Sequence, residues 1–333
     1  MVKLKEIAER LELGVSTVSA VLNGKDYCYV SALKKKLIRD TAEEMGYIPN
    51  RMSRGMKGLP TQTIGIIASL FTVPIQGRLI YSLNMELAKA GYSALLGDSK
   101  SQMKDEKAII GEFLSRGIDG ILIQTTYSRT ELEALFHDHI PYVVINREFD
   151  GTSVTVDRAQ GVFMAVEHLA TVHKRRKIGF VSDGSLTNQR KTEGYRSAVK
   201  KIGMQYGGDY IIEIPDYIEN ARGMAERVAE LGLDAVSASN DVVAGLLIKN
   251  LRRMGKRIPE DVAVIGFDGI DYLCEMTEPS LTSVRQPMEQ VAEKAVELLL
   301  AQIKGEKVPE KMSCIKPVLK IGESCGCGKG ATK

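Results

Sequence analysis

The chain reads as a small helical module followed by an α/β body of two doubly wound parallel sheets. Three observations predict this. Residues 4–46 carry apolar side chains at helical spacing in three short runs. From Thr63 onward, short apolar strands alternate with amphipathic helices, and that alternation is long enough to be played out twice. Strands of this kind, each followed by a helix, form parallel sheets covered on both faces, because every crossover helix packs back onto the sheet.

In the first run Leu4, Ile7, Ala8 and Leu11 share one helical face. Glu12-Leu13-Gly14 interrupts it, with Gly14 expected to supply the tight backbone of a helix–helix corner. A second helix is predicted over Val15 to Leu22, with Val18, Val21 and Leu22 inward and the hydroxyls of Ser16, Thr17 and Ser19 outward. Asn23-Gly24 stops it. A third helix follows Ser31, burying Leu37, Ile38, Ala42 and Met45, and stops at Gly46. This is the pattern of a helix–turn–helix, though any three-helix bundle shares it. In a helix–turn–helix the second helix enters the major groove, with its start at the base edges. Val15 and Ser16 lie at that start and Ala20 one turn on, with Thr17, Ser19 and Asn23 as further DNA-contact candidates.

Charge agrees with a nucleic-acid partner. Residues 1–60 hold 11 Lys/Arg against 7 Asp/Glu, leaving 34 against 35 for the rest of the 333 residues. A basic end on a neutral body is the footprint of a DNA-binding module joined to a separate sensor. No leader precedes the module and no apolar run is long enough to span a membrane, so a cytoplasmic protein is expected. The five cysteines (Cys28, Cys274, Cys314, Cys325 and Cys327) are an odd, scattered set for a disulfide framework. Cys325-Gly326-Cys327 invites a metal, but a structural zinc needs four ligands and no second close Cys/His pair stands out. His137-Asp138-His139 reads as a solvated loop. Neither metal nor cofactor is expected.

In the body, strands are predicted over Thr63–Ala68, Ser93–Leu96, Gly120–Gln124 and Tyr142–Ile145, with helices near 76–90, 104–116 and 129–137. The second set is Lys177–Val181, Tyr210–Ile214, Ala235–Ala238 and Val262–Phe267, with helices near 160–172, 190–202, 219–231 and 241–254. A long helix from Pro287 to about Ile303 and a strand over Pro317–Ile321 complete the pattern. Ligands of such sheets bind beyond the strand carboxyl ends. The nucleotide-binding G-x-G-x-x-G and G-x-x-x-x-G-K-[ST], the metalloprotease H-E-x-x-H and the hydrolase G-x-S-x-G are all missing; Gly328-Lys329-Gly330 sits in a tail. No catalytic residue is nominated.

The wording of the first 65 residues is more specific. Thr17-Val18-Ser19, Val21-Leu22-Asn23-Gly24, Gly46-Tyr47-Ile48-Pro49-Asn50 and Thr63-Ile64-Gly65 match the lactose-repressor (LacI) family in order and spacing. Further family motifs downstream extend the likeness over nearly the whole chain, which thus resembles a LacI/GalR-type transcriptional regulator. The resemblance implies a helix–turn–helix headpiece over 1–48 and a hinge over 49–60. It implies a type I periplasmic-binding-protein body, with one subdomain from 61–158 plus 287–317 and another from 159–286 plus 318–325. Residues 326–333 form a tail. Asn50 to Lys57 is too short to be a stable helix alone in water. In the family this hinge folds on operator DNA and wedges a leucine into the minor groove; Met56 takes that leucine's position, with Asn50 and Arg54 beside it.

For the effector, the resemblance points to Asn240 and Asp268 at two strand ends, Asn146 on the opposite subdomain, and Asp157, Lys191, Ile75 and Gln76 around the same crevice. A carboxylate accepting two hydroxyls beside an amide is a natural sugar clamp. Asp241 reads as a helix cap. Three departures stand out: Lys191 replaces a common arginine, with Arg190 one position away; Gly269 follows Asp268 in place of an acid or amide; and Ala20 removes an arginine that often reads guanine. With no tryptophan, sugar stacking falls to Phe71, Phe149, Phe267 or Tyr272. The implied function is a homodimeric regulator, most often a repressor in this family, that binds double-stranded operator DNA under control of a sugar-like effector. The alternatives are a transport sugar-binding protein and a global regulator answering to a phosphoprotein.

Overall fold

The computed structural model describes residues 2–23, 30–47, 60–69, 73–136, 140–182, 188–204, 210–309 and 311–328. The chain divides into two compact units, Met1–Gln62 and Thr63–Lys333. The hinge candidates Asn50, Arg54 and Met56, together with Cys28, Phe71 and His137 to His139, lie outside the described residues.

The first unit holds α1 (Leu4–Arg10), α2 (Val15–Leu22) and α3 (Ala32–Glu44). Ile7, Ala8, Val18, Val21, Ile38 and Ala42 make its core. Ser31 caps α3, its Oγ accepting from the Lys34 amide at 3.3 Å. Two details differ from the sequence reading. The left-handed residue of the α1–α2 corner is Glu12 (φ 52°), while Gly14 is extended (φ −64°, ψ 138°) and serves as the N-cap of α2. Leu37 is half exposed, because the buried face of α3 runs through Ile38, Thr41 and Ala42, a hundred degrees away from it.

The second unit contains two six-stranded sheets. The first comprises β1 (Thr63–Ala68), β2 (Ser93–Asp98), β3 (Gly120–Ile123), β4 (Tyr142–Ile145), β5 (Ser153–Val156) and β11 (Met312–Ile315), in the order β11-β5-β4-β3-β1-β2 and parallel throughout. The second comprises β6 (Ile178–Ser182), β7 (Ile211–Glu213), β8 (Ala235–Ala238), β9 (Ala263–Asp268), β10 (Thr282–Arg285) and β12 (Val318–Lys320), ordered β12-β10-β9-β8-β6-β7. Only β12 among these runs antiparallel. The chain therefore passes between the sheets three times: after Val156, after Arg285 and after Ile315.

Helices cover both faces of each sheet. On the first, α4 (Pro74–Lys89) and α12 (Met288–Ile303) bury Leu79, Leu83, Val291 and Leu299 against β1, β3 and β4. The opposite face takes α5 (Met103–Ser115) and α6 (Arg129–Phe136) through Ile110, Phe113, Leu132 and Phe136. On the second sheet, α9 (Ala221–Glu230) and α10 (Asp241–Arg253) pack on one side. The other side takes α7 (Arg158–Thr171) and α8 (Gln189–Ile202), and the short α11 (Asp271–Met276) follows β9. Strands apolar on both faces, such as Ile64, Ile66 and Ile67 of β1, follow from this sandwiching. No described helix is long and apolar enough to cross a membrane.

Candidate functional site

The first unit presents the start of α2 outward. Val15 is 44% exposed and Ser16 is exposed, while Thr17 and Ser19 are half-buried. Asn23 folds back on Ser19: its Nδ2 donates to the Ser19 carbonyl at 2.7 Å and to Ser19 Oγ at 3.3 Å, closing the helix. Ala20 differs from the exposed start of the helix: it is buried at 7% exposure, although it is not part of the core that Val18 and Val21 form.

In the second unit several side chains link the carboxyl ends of the two sheets, among them three arginines. Arg158, the first residue of α7, donates through one Nη2 to the Asn146 carbonyl (2.9 Å) and to Asn146 Oδ1, across from one subdomain to the other. Arg190 of α8 pairs with Glu148, just beyond β4. Arg78 of α4 donates to the Gly269 carbonyl at 3.1 Å and to Glu289 at 2.7 and 3.0 Å. Arg158 is desolvated, which lowers its pKa, and the charge of Asp268 acts against that shift. Arg158 is thus bonded directly to Asn146, and its guanidinium feels the charge of Asp268.

Asp268 ends β9 and is 7% exposed, with Oδ1 accepting from Gln286 Nε2 at 2.7 Å. Its φ is +108° and that of Asn146 is +56°. Non-glycine residues in such backbone cost about 1–3 kcal/mol each and gather at functional sites, where the surrounding structure holds them. Gly269 (φ +68°) explains one departure from the family pattern. A Cβ there would stand 2.6 Å from Cα of Arg285, so β10 excludes any larger residue. Lys191 is equally committed: its buried Nζ donates to the Ser239 carbonyl at 2.6 Å and lies 4.1 Å from the centre of the Phe267 ring. Arg190 does not stand in for the family arginine, because it points outward to Glu148 and Glu193.

Asn240, at the end of β8, is the N-cap of α10: its Oδ1 accepts from the Val243 amide at 2.8 Å, leaving Nδ2 as its remaining donor. The sequence reading gave that cap to Asp241, which instead is buried and accepts from Ser283 Oγ and from the Ile270 amide at 2.7 Å. Gln76 Oε1 accepts from Gln124 Nε2 at 3.0 Å, whose own Oε1 takes the Ser69 amide at 3.2 Å, a relay at the strand ends of the first sheet. Two other candidates have structural employment. Ile75 is a core residue of the first sheet at 7% exposure. Asp157 caps α7, its Oδ1 accepting from the Gln160 amide at 2.9 Å. Of the aromatic candidates, Phe267 is fully buried, Phe149 packs edge-on to Tyr142, and Tyr272 is exposed. Sequence reasoning missed Arg158, Gln286 and Ser283: Arg158 meets Asn146 only through the crossing between the sheets, whereas Gln286 and Ser283 reach Asp268 and Asp241 through packing within the second subdomain.

Burial first, and the neighbouring Asp268 second, push the Asp241 carboxyl up to about 7. An aspartate in the unfolded chain titrates near ~3.9, so between about pH 4 and 7 the folded state holds a proton that the unfolded state has lost. Stability should therefore fall as pH rises through that window, by about 1.4 kcal/mol per unit at the steepest, and level off above it. Asp241→Asn cannot ionise, so its urea-denaturation stability should decline less than that of the parent between pH 5 and 8. Parallel pH profiles for the two proteins would contradict this assignment.

Residues 3–50 match the family model described as bacterial regulatory proteins, lacI family, and residues 166–325 match a periplasmic binding protein-like domain. The chain is 27% identical over 339 residues to CelR, an HTH-type transcriptional regulator of Thermobifida fusca, covering 96% of this chain and 97% of that protein. It is 29% identical over 317 residues to the HTH-type transcriptional repressor CytR of Escherichia coli K12, covering 92% and 91%. Among solved structures, the lac repressor dimer bound to operator and the anti-inducer ONPF superposes with a TM-score of 0.84 at 19% identity, over 97% of this chain and 99% of that one. The CelR–cellobiose complex gives 0.70 at 25% identity, over 97% and 100%.

Proposed function

We propose that this chain, a member of the lacI family of bacterial regulatory proteins, couples operator binding by its headpiece to a saccharide held between the two halves of its body. It is a sequence-specific DNA-binding transcriptional regulator, and its relatives are regulators rather than enzymes. CelR is described in complex with cellobiose, and the lac repressor as a dimer on its operator. By analogy, two chains would set their α2 helices in successive major grooves of a pseudo-palindromic site. Val15, Ser16 and Thr17 would contact DNA from the start of α2, with Ser19 and Asn23 behind them. Asn50, Arg54 and Met56 are proposed to order against the minor groove as the hinge.

The observation that carries the effector half is the hydrogen bonding of Arg158 to Asn146 from one subdomain to the other, at the strand ends where Asp268, whose charge acts on Arg158, also lies. A ligand hydroxyl pair accepted by Asp268 and flanked by Asn146, Asn240, Lys191 and Gln76 would draw on groups from both subdomains. Its affinity would then depend on the angle between them. Ser239 Oγ and Gln286 Oε1, beside Lys191 and Asp268, are buried without a protein partner, which suits completion by a hydroxyl-rich guest. Ligand binding selects one inter-subdomain arrangement, and the hinge segment transmits it to the headpiece. Ile75 and Asp157 are not included among the contacts, for the structural reasons given above.

A thermal-shift screen of mono- and disaccharides and their phosphates, cellobiose included, tests this reading. A ligand at 100 times its Kd stabilises the folded state by about 2.7 kcal/mol. At least one saccharide should raise the melting temperature of the full chain and also change its affinity for selected operator DNA. A panel in which no saccharide does either would overturn the effector assignment and leave the DNA assignment standing.

A further inference from the structure

Away from the crevice, four side chains converge at the far end of α7. His168 lies in its last turn, His173 just past its C-terminus, and Cys325 and Cys327 in the segment that follows β12. Their ligand atoms all fall within 4.8 Å of one another. The Nε2 atoms of His168 and His173 are 3.2 Å apart. Cys327 Sγ is 3.4 Å from His173 Nε2 and 3.6 Å from His168 Nε2, and Cys325 Sγ is 3.7 Å from His168 Nε2.

These separations are those of ligands around a common centre. With Zn–S bonds of about 2.3 Å and Zn–N bonds of about 2.05 Å at tetrahedral angles, N···N edges come to about 3.3 Å and N···S edges to about 3.6 Å. Two imidazoles and two thiols are also the donor set that selects zinc over the oxygen-seeking cations. Sequence reading set aside Cys325-Gly326-Cys327 for want of a second pair; that pair stands 157 residues upstream, at His168, on a different element.

The surroundings are shaped for the contact. Gly326 has φ +110°, and a Cβ on it would stand 2.9 Å from Nδ1 of His173, so a glycine is what lets the Cys-Gly-Cys turn close over the imidazole. Thr282 Oγ1 lies 3.1 Å from Cys325 Sγ, a hydroxyl placed to support a thiolate ligand. Ser324 ties the same turn to the sheet, its Oγ donating to the Val264 carbonyl at 2.6 Å and accepting from the Thr282 amide at 2.9 Å.

We propose that His168, His173, Cys325 and Cys327 form a closed structural zinc site that fastens the carboxyl-terminal segment to α7. With four protein ligands, no position is left open for substrate, so the role is structural. The ion would pin α7 at the end opposite Arg158.

Elemental analysis of the tag-free full chain should find about one zinc per chain. Cobalt(II) supplied to metal-stripped protein should give the intense visible ligand-field bands of a tetrahedral site and a thiolate-to-cobalt charge-transfer band. Cys327→Ser and His173→Gln should each abolish stoichiometric zinc, whereas Cys314→Ser, at an exposed cysteine outside the cluster, should retain it. Chelator should lower the melting temperature of the parent protein and leave that of Cys327→Ser unchanged. The proposal fails if cobalt gives only the weak spectrum of an octahedral ion, a result on the unmutated chain that needs no variant to fold. It fails equally if Cys327→Ser binds zinc as well as the parent.

Discussion

A chain beginning at Thr61 should lose operator binding by at least about 10³-fold, the usual gap between specific and non-specific DNA affinity, while its body stays folded and ligand-responsive. Among the described residues, the four hydrophobic clusters of the body contain none before Ile64, and the headpiece core contains none after Tyr47. Truncation therefore removes none of these described core residues of the body. The parent chain should show log affinity falling linearly with log salt, because each neutralised phosphate releases counterions with a slope of about −0.9. The operator probe is the duplex recovered by the parent from a random-core pool, and affinities are read by fluorescence anisotropy. A truncated body that held this duplex at parental affinity would remove DNA recognition from the headpiece.

The second large effect is expected at Asp268. Asp268→Asn keeps the shape and an acceptor for Gln286 Nε2, and asparagine tolerates positive φ, so the fold should persist. What is lost is a charged acceptor, worth about 1.5–3 kcal/mol for hydrogen bonds to ionised groups. That corresponds to roughly 10- to 100-fold weaker binding of the saccharide found in the screen, measured by calorimetry, with operator affinity of the ligand-free protein little changed. The same change should draw the Asp241 carboxyl back down, since Asp268 is the second cause of its shift. Unchanged saccharide affinity would place the ligand elsewhere.

Elements with strong periodicity were legible in the chain. The largely apolar β1 begins and ends where its sequence pattern does, and α8, α10 and α12 differ from their sequence-predicted bounds by a residue or so. Four short elements were not: β5, β10, β11 and α11. Ser153–Val156 and Thr282–Arg285 are four-residue strands in which at least half of the residues are polar, and only their neighbours in the sheet make them strands. Leu37 shows the limit of one-helix reasoning, because which stripe of a helix faces inward is fixed by the other two helices.

The site divides in the same way. Asn146, Asn240 and Asp268 were named through family motifs at strand ends, where the fold class alone already places ligands. Arg158 could not be found like this. It opens a helix of the second subdomain, and its partner Asn146 ends a strand of the first. Likewise, His168 and Cys325 are separated by most of the second sheet in sequence and meet only because β12 returns to it. Asp241 was misread as a cap since Asn240 and Asp241 are equally good capping types; the extended backbone of Asn240 decides between them.

The central claim is that a ligand at Asp268 controls DNA binding by residues 1–57. It is tested most directly by titrating the selected operator duplex with parent and Asp268→Asn chains, each with and without the saccharide from the screen, under fixed salt. The account predicts that saccharide, at a concentration saturating the parent, shifts the parent's operator Kd by about 5-fold or more, the scale of ordinary coupling energies. The Asp268→Asn chain should start from the same ligand-free Kd and shift far less at that concentration. An operator Kd that ignores the saccharide in the parent, although the saccharide raises its melting temperature, would contradict the account.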